Sequence, residues 1–147
     1  MTAPLSLARR RDIAYALLRA TIGIVFLTTG TKKWLHGVDA FAGGLREMFA
    51  GKLPAVLVNP FAYAVPYVEI AVGVLLVLGA LNVPALIVSA LLMISLTFGM
   101  MVAGESATVA ANLSYAIIIF ILLWSSEHNR YSVDGLRRGG FLPRPAS

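Results

Sequence analysis

The 147-residue sequence has no cysteine and only two histidines, His36 and His128. Without cysteine there are no disulfides, no thiol redox chemistry, no cysteine-ligated iron–sulfur cluster and no cysteine-based zinc site. Both histidines fall outside the long apolar stretches, which excludes a bis-histidine haem buried among them, and no metal ligands are assigned. Charge is scarce too: 13% of the residues are Asp, Glu, Lys or Arg, against 59% hydrophobic. That balance is foreign to soluble domains.

What the chain does have is long apolar runs. Four stretches, about 12–31, 61–81, 83–103 and 107–126, approach the ~20 residues that a helix needs to cross a bilayer. They leave no room for a soluble catalytic domain, so any chemistry is membrane-embedded or supplied by a partner. The expected fold is all-α: residues 1–147 form a single transmembrane domain, an integral membrane antiparallel four-helix bundle with a short interfacial helix in the first loop. A basic cytoplasmic tail, polar and loosely ordered, is expected over 127–147.

The net charge of +5 is a topological signal and not a nucleic-acid one, because the basic residues flank the spans. Arg9, Arg10 and Arg11 precede the first span, and Arg130, Arg137, Arg138 and Arg144 follow the last. The loop between the first two spans carries Lys32, Lys33, Arg46 and Lys52. The bias puts both termini on the cytoplasmic side of a cell (inner) membrane. The first apolar run is too long for a signal-peptide core and lacks a small-residue cleavage pattern, so it reads as a retained helix.

Two ions interrupt this pattern. Arg19 is the only charge between Ile13 and Thr31, and Glu69 the only one between Phe61 and Leu81. A lone ion at membrane depth costs about 2.5–3.5 kcal/mol on insertion scales, and such residues face the bundle interior and pair. The expectation is one buried Arg19–Glu69 pair. Helical spacing puts Ala16, Arg19, Gly23, Phe26 and Gly30 on one face, and Ala62, Pro66, Glu69, Gly73 and Leu76 on another. Pro66, one turn before Glu69, frees a carbonyl beside the carboxylate. Asn112 and Tyr115 are the strong hydrogen-bonding side chains deep in the fourth span, and Ser95, Gly99 and Ala103 form a small-residue stripe on the third, read as packing within the chain.

In the first loop, Phe41, Leu45, Met48 and Phe49 share a face opposite Arg46 and Glu47, the pattern of an amphipathic helix at the outer interface. Pro54 and Pro60 punctuate the return to the second span.

LLRATIGIVFLTTGTKKW, VPYVEIAVGVLLVLGALNVPA and the later RYSVDGL, in this order, resemble segments of DoxX-like membrane proteins. The resemblance covers about residues 15–136 and carries Arg19, Lys33, Glu69, Gly73, Ser132 and Asp134, with Asn112 resembling the DoxD-type branch. It implies a four-helix membrane protein, here a quinone-linked redox subunit of a membrane oxidoreductase. In that reading Arg19 and Glu69 are catalytic: Arg19 donates to a quinone carbonyl and Glu69 relays a proton. Arg19, Glu69, Asn112 and Tyr115 bind the cofactor, a diffusible quinone and not a covalent group. The residues by themselves also fit a structural anchor or assembly factor for a partner complex, or a small transporter or channel subunit. The partners expected are the lipid bilayer, a soluble or membrane redox protein and further copies of the chain, with no nucleic acid.

Overall fold

The computed structural model describes residues 6–137. The chain runs through α1 (Leu7–Leu35), α2 (Val38–Met48), α3 (Ala55–Leu78), α4 (Asn82–Ala103), α5 (Ser106–Trp124), a 3-10 turn (Ser126–His128) and α6 (Val133–Arg137). The described residues are helical or in connecting turns, with no strand among them. α1, α3, α4 and α5 are each long and apolar enough to cross a membrane. Arg138 and Arg144, counted above for topology, lie outside the described residues.

The boundaries of two helices, α1 and α3, differ from expectation, and the differences matter. α1 continues past Thr31 to Leu35, so Lys32 and Lys33 form its last turn. α3 begins at Ala55 and takes Pro60 and Pro66 inside it, so Pro60 does not punctuate the loop. Each proline lacks the N–H that would reach back to the fourth residue before it; the helix continues because only single backbone bonds are lost. α3 stops at Gly79, whose φ of 67° closes the helix in the left-handed conformation that glycine adopts without strain.

The centre of the fold is the α1–α3 contact, and glycine makes it close. A Cβ on Gly73 would lie 2.5 Å from the backbone nitrogen of Leu27, one on Gly23 would lie 2.9 Å from that of Val77, and one on Gly30 would lie 2.9 Å from that of Ile70. Numbering that climbs along α1 therefore falls along α3. Arg19, Gly23, Phe26 and Gly30 are buried as the periodicity expects, as are Ala62, Pro66, Glu69, Gly73 and Leu76. α4 packs on α3 and α5 on α4, whereas α5 meets α1 only sparsely. The main core joins Ile22, Phe26, Val72, Leu76, Leu86 and Ile119. A second core under α2 joins Ala42, Leu45, Phe49, Val58 and Ala62.

The small-residue stripe on α4 divides: Gly99 gives room to Phe49, a Cβ there lying 3.3 Å from the ring, while Ser95 is exposed. The buried small residues of this helix are Ala85 and Ser89, the Ser89 hydroxyl donating to Ala85 O at 2.7 Å.

Residues 129–137 are not the loose tail expected. They fold back on the α3–α4 turn. Leu81 N donates to Asp134 Oδ1 at 3.1 Å and Asn82 N to Asp134 Oδ2 at 2.8 Å. Asp134 thus caps α4 from 52 residues away in sequence, where Leu81 itself provides no side-chain cap. Ser132 Oγ accepts from Gly135 N at 2.9 Å, closing the first turn of α6.

Candidate ligand cavity

The expected Arg19–Glu69 pair does not form. Gly30 packs against Glu69, a Cβ on it falling 2.8 Å from the Glu69 Cβ. Arg19 is eleven residues from Gly30, about 16 Å of helical rise. The two ions therefore sit at opposite ends of the α1–α3 contact. The reason lies in the boundaries: α1 runs four residues beyond Thr31 and α3 ends before Gly79, which slides the register away from the centre-to-centre match that the apolar runs suggest.

Arg19, only 3% exposed, belongs to the end where the chain's C-terminal segment docks. Its Nη2 donates to Tyr131 O at 2.9 Å, and its guanidinium lies against Gly79, where any Cβ would collide with it. Around it Asn82 Nδ2 donates to Tyr15 OH at 2.6 Å, and Asp12 Oδ1 is 3.1 Å from His128 Nδ1. This is a fastening that holds residues 126–137 to α1 and the α3–α4 turn. It gives the arginine a structural place in an apolar helix through Nη2, while Nε and Nη1 are buried without a hydrogen-bond partner.

Glu69, also 3% exposed, belongs to the other end. Its partner is Lys33, whose Nζ donates to Oε1 at 2.6 Å and lies 5.1 Å from the centroid of the Phe41 ring. Lys33 is carried by the DoxX-like resemblance but has no place at the site expected from the sequence. It continues the Arg19–Gly23–Phe26–Gly30 face by one more three-residue step, but two adjacent lysines at the end of an apolar run read as interfacial flank.

The Lys33–Glu69 pair stands at the wall of a cavity of about 280 Å³. α1 contributes Ile22, Phe26 and Thr29, and α4 contributes Met93, Leu96 and Gly99. Thr108, Asn112 and Tyr115 come from α5, while Phe41, Leu45 and Phe49 close it from α2 and the turn after it. Of the four residues expected to bind a cofactor, the structure brings Glu69, Asn112 and Tyr115 to one cavity and leaves Arg19 out.

Most of this lining is apolar, and its polar members are not all satisfied. Glu69 Oε2 and Asn112 Nδ2 are buried with no hydrogen-bond partner. Thr29 Oγ1 is engaged on its own helix, donating to Val25 O or Phe26 O at 3.0 Å. Buried polar atoms left unpaired are uncommon and costly, at about 1–3 kcal/mol each. An acceptor and a donor left over on two helices beside one cavity form a pattern that a bound molecule would complete. Among the described residues no group of three or more His, Cys, Asp or Glu side chains could hold a metal ion.

α2 lies across the cavity like a roof. Its two flanks carry the left-handed glycines Gly37 (φ 95°) and Gly51 (φ 72°). Polar contacts on its outer side fasten it: Tyr63 OH donates to Asp39 Oδ1 at 2.9 Å and accepts from Arg46 Nη2 at 3.0 Å, and Lys52 Nζ donates to Ala103 O at 3.1 Å.

Comparison with known proteins corrects the resemblance drawn from the sequence. The family model that matches is not DoxX-like; it is methylamine utilisation protein MauE, over residues 11–112. The matched segment runs from the start of α1 through Asn112 in α5, more than two thirds of the chain, and includes Arg19, Lys33, Glu69 and Asn112. The quinone-linked redox role, which came with the DoxX-like resemblance, loses that ground. No curated protein and no solved structure matches the chain. With four apolar helices of spanning length and a family model matched over most of its residues, the chain belongs to the MauE family of membrane proteins.

Proposed function

We propose that this chain is a multi-pass accessory protein of the cell membrane, serving an amine-utilisation system of the kind for which its family is named, and that its working part is a receptor site beside Glu69. The observation that carries the proposal is the pair of buried, unpartnered atoms, Glu69 Oε2 and Asn112 Nδ2, on residues lining one cavity. What sets these two atoms apart from the other buried unpartnered ones, such as Arg19 Nε and Nη1, is that their residues line an open cavity. A receptor accounts for this, because its ligand satisfies both on binding.

In this reading the four long helices form an antiparallel bundle with both termini cytoplasmic. α2 then lies at the outer interface and covers the cavity. Entry is from the lipid, through the seam where α1 and α5 pack sparsely.

A second reading, an assembly platform for a soluble or membrane partner or for further copies of the chain, draws support from α5. Only 17% of its apolar window is buried, against 28–39% in the other three long helices, so this helix has the most surface to offer a neighbour.

Native mass spectrometry of the protein purified in mild detergent tests both. The receptor reading expects a small molecule that stays with the wild type and is lost from Gly99→Phe, in which the new ring enters the cavity. A stoichiometric protein partner with no retained small molecule would overturn it in favour of the platform. A quinone as the retained molecule would return the redox role to consideration.

A further inference from the structure

The charges at the cavity beside Glu69 already cancel. Lys33 Nζ is 2.6 Å from Glu69 Oε1 and also faces the Phe41 ring. A further ion entering this apolar space would lose its hydration and find no counter-charge, and burying an unpaired ion is the costliest event such a site can host. The cavity is therefore unsuited to a cation or an anion as ligand.

What it lacks is equally specific. Glu69 Oε2 needs a donor and Asn112 Nδ2 needs an acceptor. Thr29 cannot supply the donor, its O–H being engaged on its own helix. Apart from Thr108 and Tyr115, which carry hydroxyls, the remaining walls, among them Ile22, Phe26, Leu45, Phe49 and Met93, are apolar. The volume of about 280 Å³ falls just below the roughly 300–1,000 Å³ range of ligand pockets, which suits a compact molecule and not a whole lipid.

We infer that the cavity takes a small uncharged amphiphile whose head both donates and accepts a hydrogen bond, a hydroxyl or a carboxamide, seated between Glu69 and Asn112 with its apolar body among Phe26, Leu45, Phe49 and Met93. The inference rests on the reading of this cavity as a receptor site and adds the chemical class of its ligand. The head's O–H or N–H donates to Glu69 Oε2, and its oxygen accepts from Asn112 Nδ2. Of the two unpartnered atoms, an ether or isolated ketone oxygen answers only Asn112. An ammonium answers only Glu69 and brings a second positive charge beside Lys33.

Three probes on one carbon frame test this with the full chain in detergent or nanodiscs: 4-phenylbutan-1-ol, its methyl ether, and 4-phenylbutylammonium. Affinity is read by ligand-observed NMR and by the shift in unfolding temperature. The alcohol should bind roughly tenfold tighter than either of the others, the size of effect that one unmet hydrogen bond produces. Asn112→Leu should weaken the alcohol and the ether alike, by roughly tenfold, and leave the ammonium unchanged, whereas Glu69→Gln should shrink the alcohol's advantage over the ether to about twofold if that variant folds; if it does not, Asn112→Leu decides alone. Gly99→Phe should abolish binding of all three. Equal binding of the three probes, or a preference for the ether or the ammonium, would overturn the ligand class and leave the receptor reading standing. Failure of all three to bind the wild type would overturn the inference and the receptor site together.

Discussion

Lys33 Nζ donates to Glu69 Oε1 at 2.6 Å across the α1–α3 contact, and Gly30 is what lets the two helices approach closely enough for it. The lysine enters from the end of its helix, with a side chain 24% exposed, while the carboxylate is 3% exposed. Its reach from a wet helix end to a dry carboxylate is that of a snorkelling side chain working inward.

The first prediction follows from this asymmetry. Lys33→Met strands the Glu69 carboxylate and should cost about 3–5 kcal/mol, the usual result of removing one member of a buried pair. Glu69→Leu on top of it should recover much of the loss. In a double-mutant cycle read by unfolding in detergent, Lys33 and Glu69 should couple by more than ~1 kcal/mol, whereas Arg19 and Glu69 should be additive within ~0.5 kcal/mol. Strong coupling of Arg19 to Glu69 would show that the register described here is wrong.

The second concerns the glycine contacts. A Cβ on Gly73 meets the backbone of Leu27, which cannot rotate away, so Gly73→Ala should destabilise the protein by about 1–3 kcal/mol. Gly43 and Gly44, in α2, have nothing within 4 Å of an added Cβ. Alanine there replaces the poorest helix former short of proline and should raise stability by up to ~1 kcal/mol each. Thermal unfolding of the three variants would separate close packing from general helix propensity. Equal loss at all three would mean that α1 and α3 do not touch at Gly73.

How much of this was legible in the sequence differs between the two ends of the molecule. The buried faces of α1 and α3 follow directly from three-and-four spacing of Gly23, Phe26 and Gly30 and of Ala62, Glu69 and Gly73. Partnership along those faces was not legible, because hydropathy marks where a span is apolar and not where its helix begins or ends. Lys32–Leu35 are polar enough to look like flank, yet they add a full turn to α1, and that turn delivers Lys33 to Glu69. The docking of Asp134 was hidden for a different reason. Its segment is short, polar and glycine-bearing, a composition shared with loose tails, and its value lies in two backbone N–H groups 52 and 53 residues away.

The third prediction tests that docking. Asp134→Ala removes both acceptors at the start of α4 and should cost about 1–2 kcal/mol, as losing a strong N-cap does. Leu81, held at φ 47° beside this cap, has no glycine-like freedom to relax. Hydrogen exchange should therefore quicken at the Leu81 and Asn82 amides before anywhere else in α4. Unchanged exchange at these two amides would show that the carboxylate does not hold the turn.

The fourth concerns the roof. Leu45 and Phe49 are buried and Phe41 half-buried, while Arg46 is exposed. Single cysteines introduced at these positions, where the native chain has none, should react with a water-soluble maleimide at 46 and resist at 41, 45 and 49. Tyr63 joins Asp39 and Arg46 on the outer side of α2 through its hydroxyl, and its ring also faces the Arg46 guanidinium, 5.9 Å from the centroid. Tyr63→Phe keeps the ring and removes both bonds, worth about 0.5–1.5 kcal/mol each at most for such exposed partners. The loss should leave the long helices intact while speeding maleimide reaction at 45 and 49, because the glycines at 37 and 51 let α2 move as a unit once its fastening is cut. Uniform labelling of all four sites in the wild type would mean that α2 does not cover the cavity. Protection at 45 and 49 that Tyr63→Phe leaves unchanged would mean that apolar packing alone, and not the Asp39–Tyr63–Arg46 contacts, keeps the roof closed.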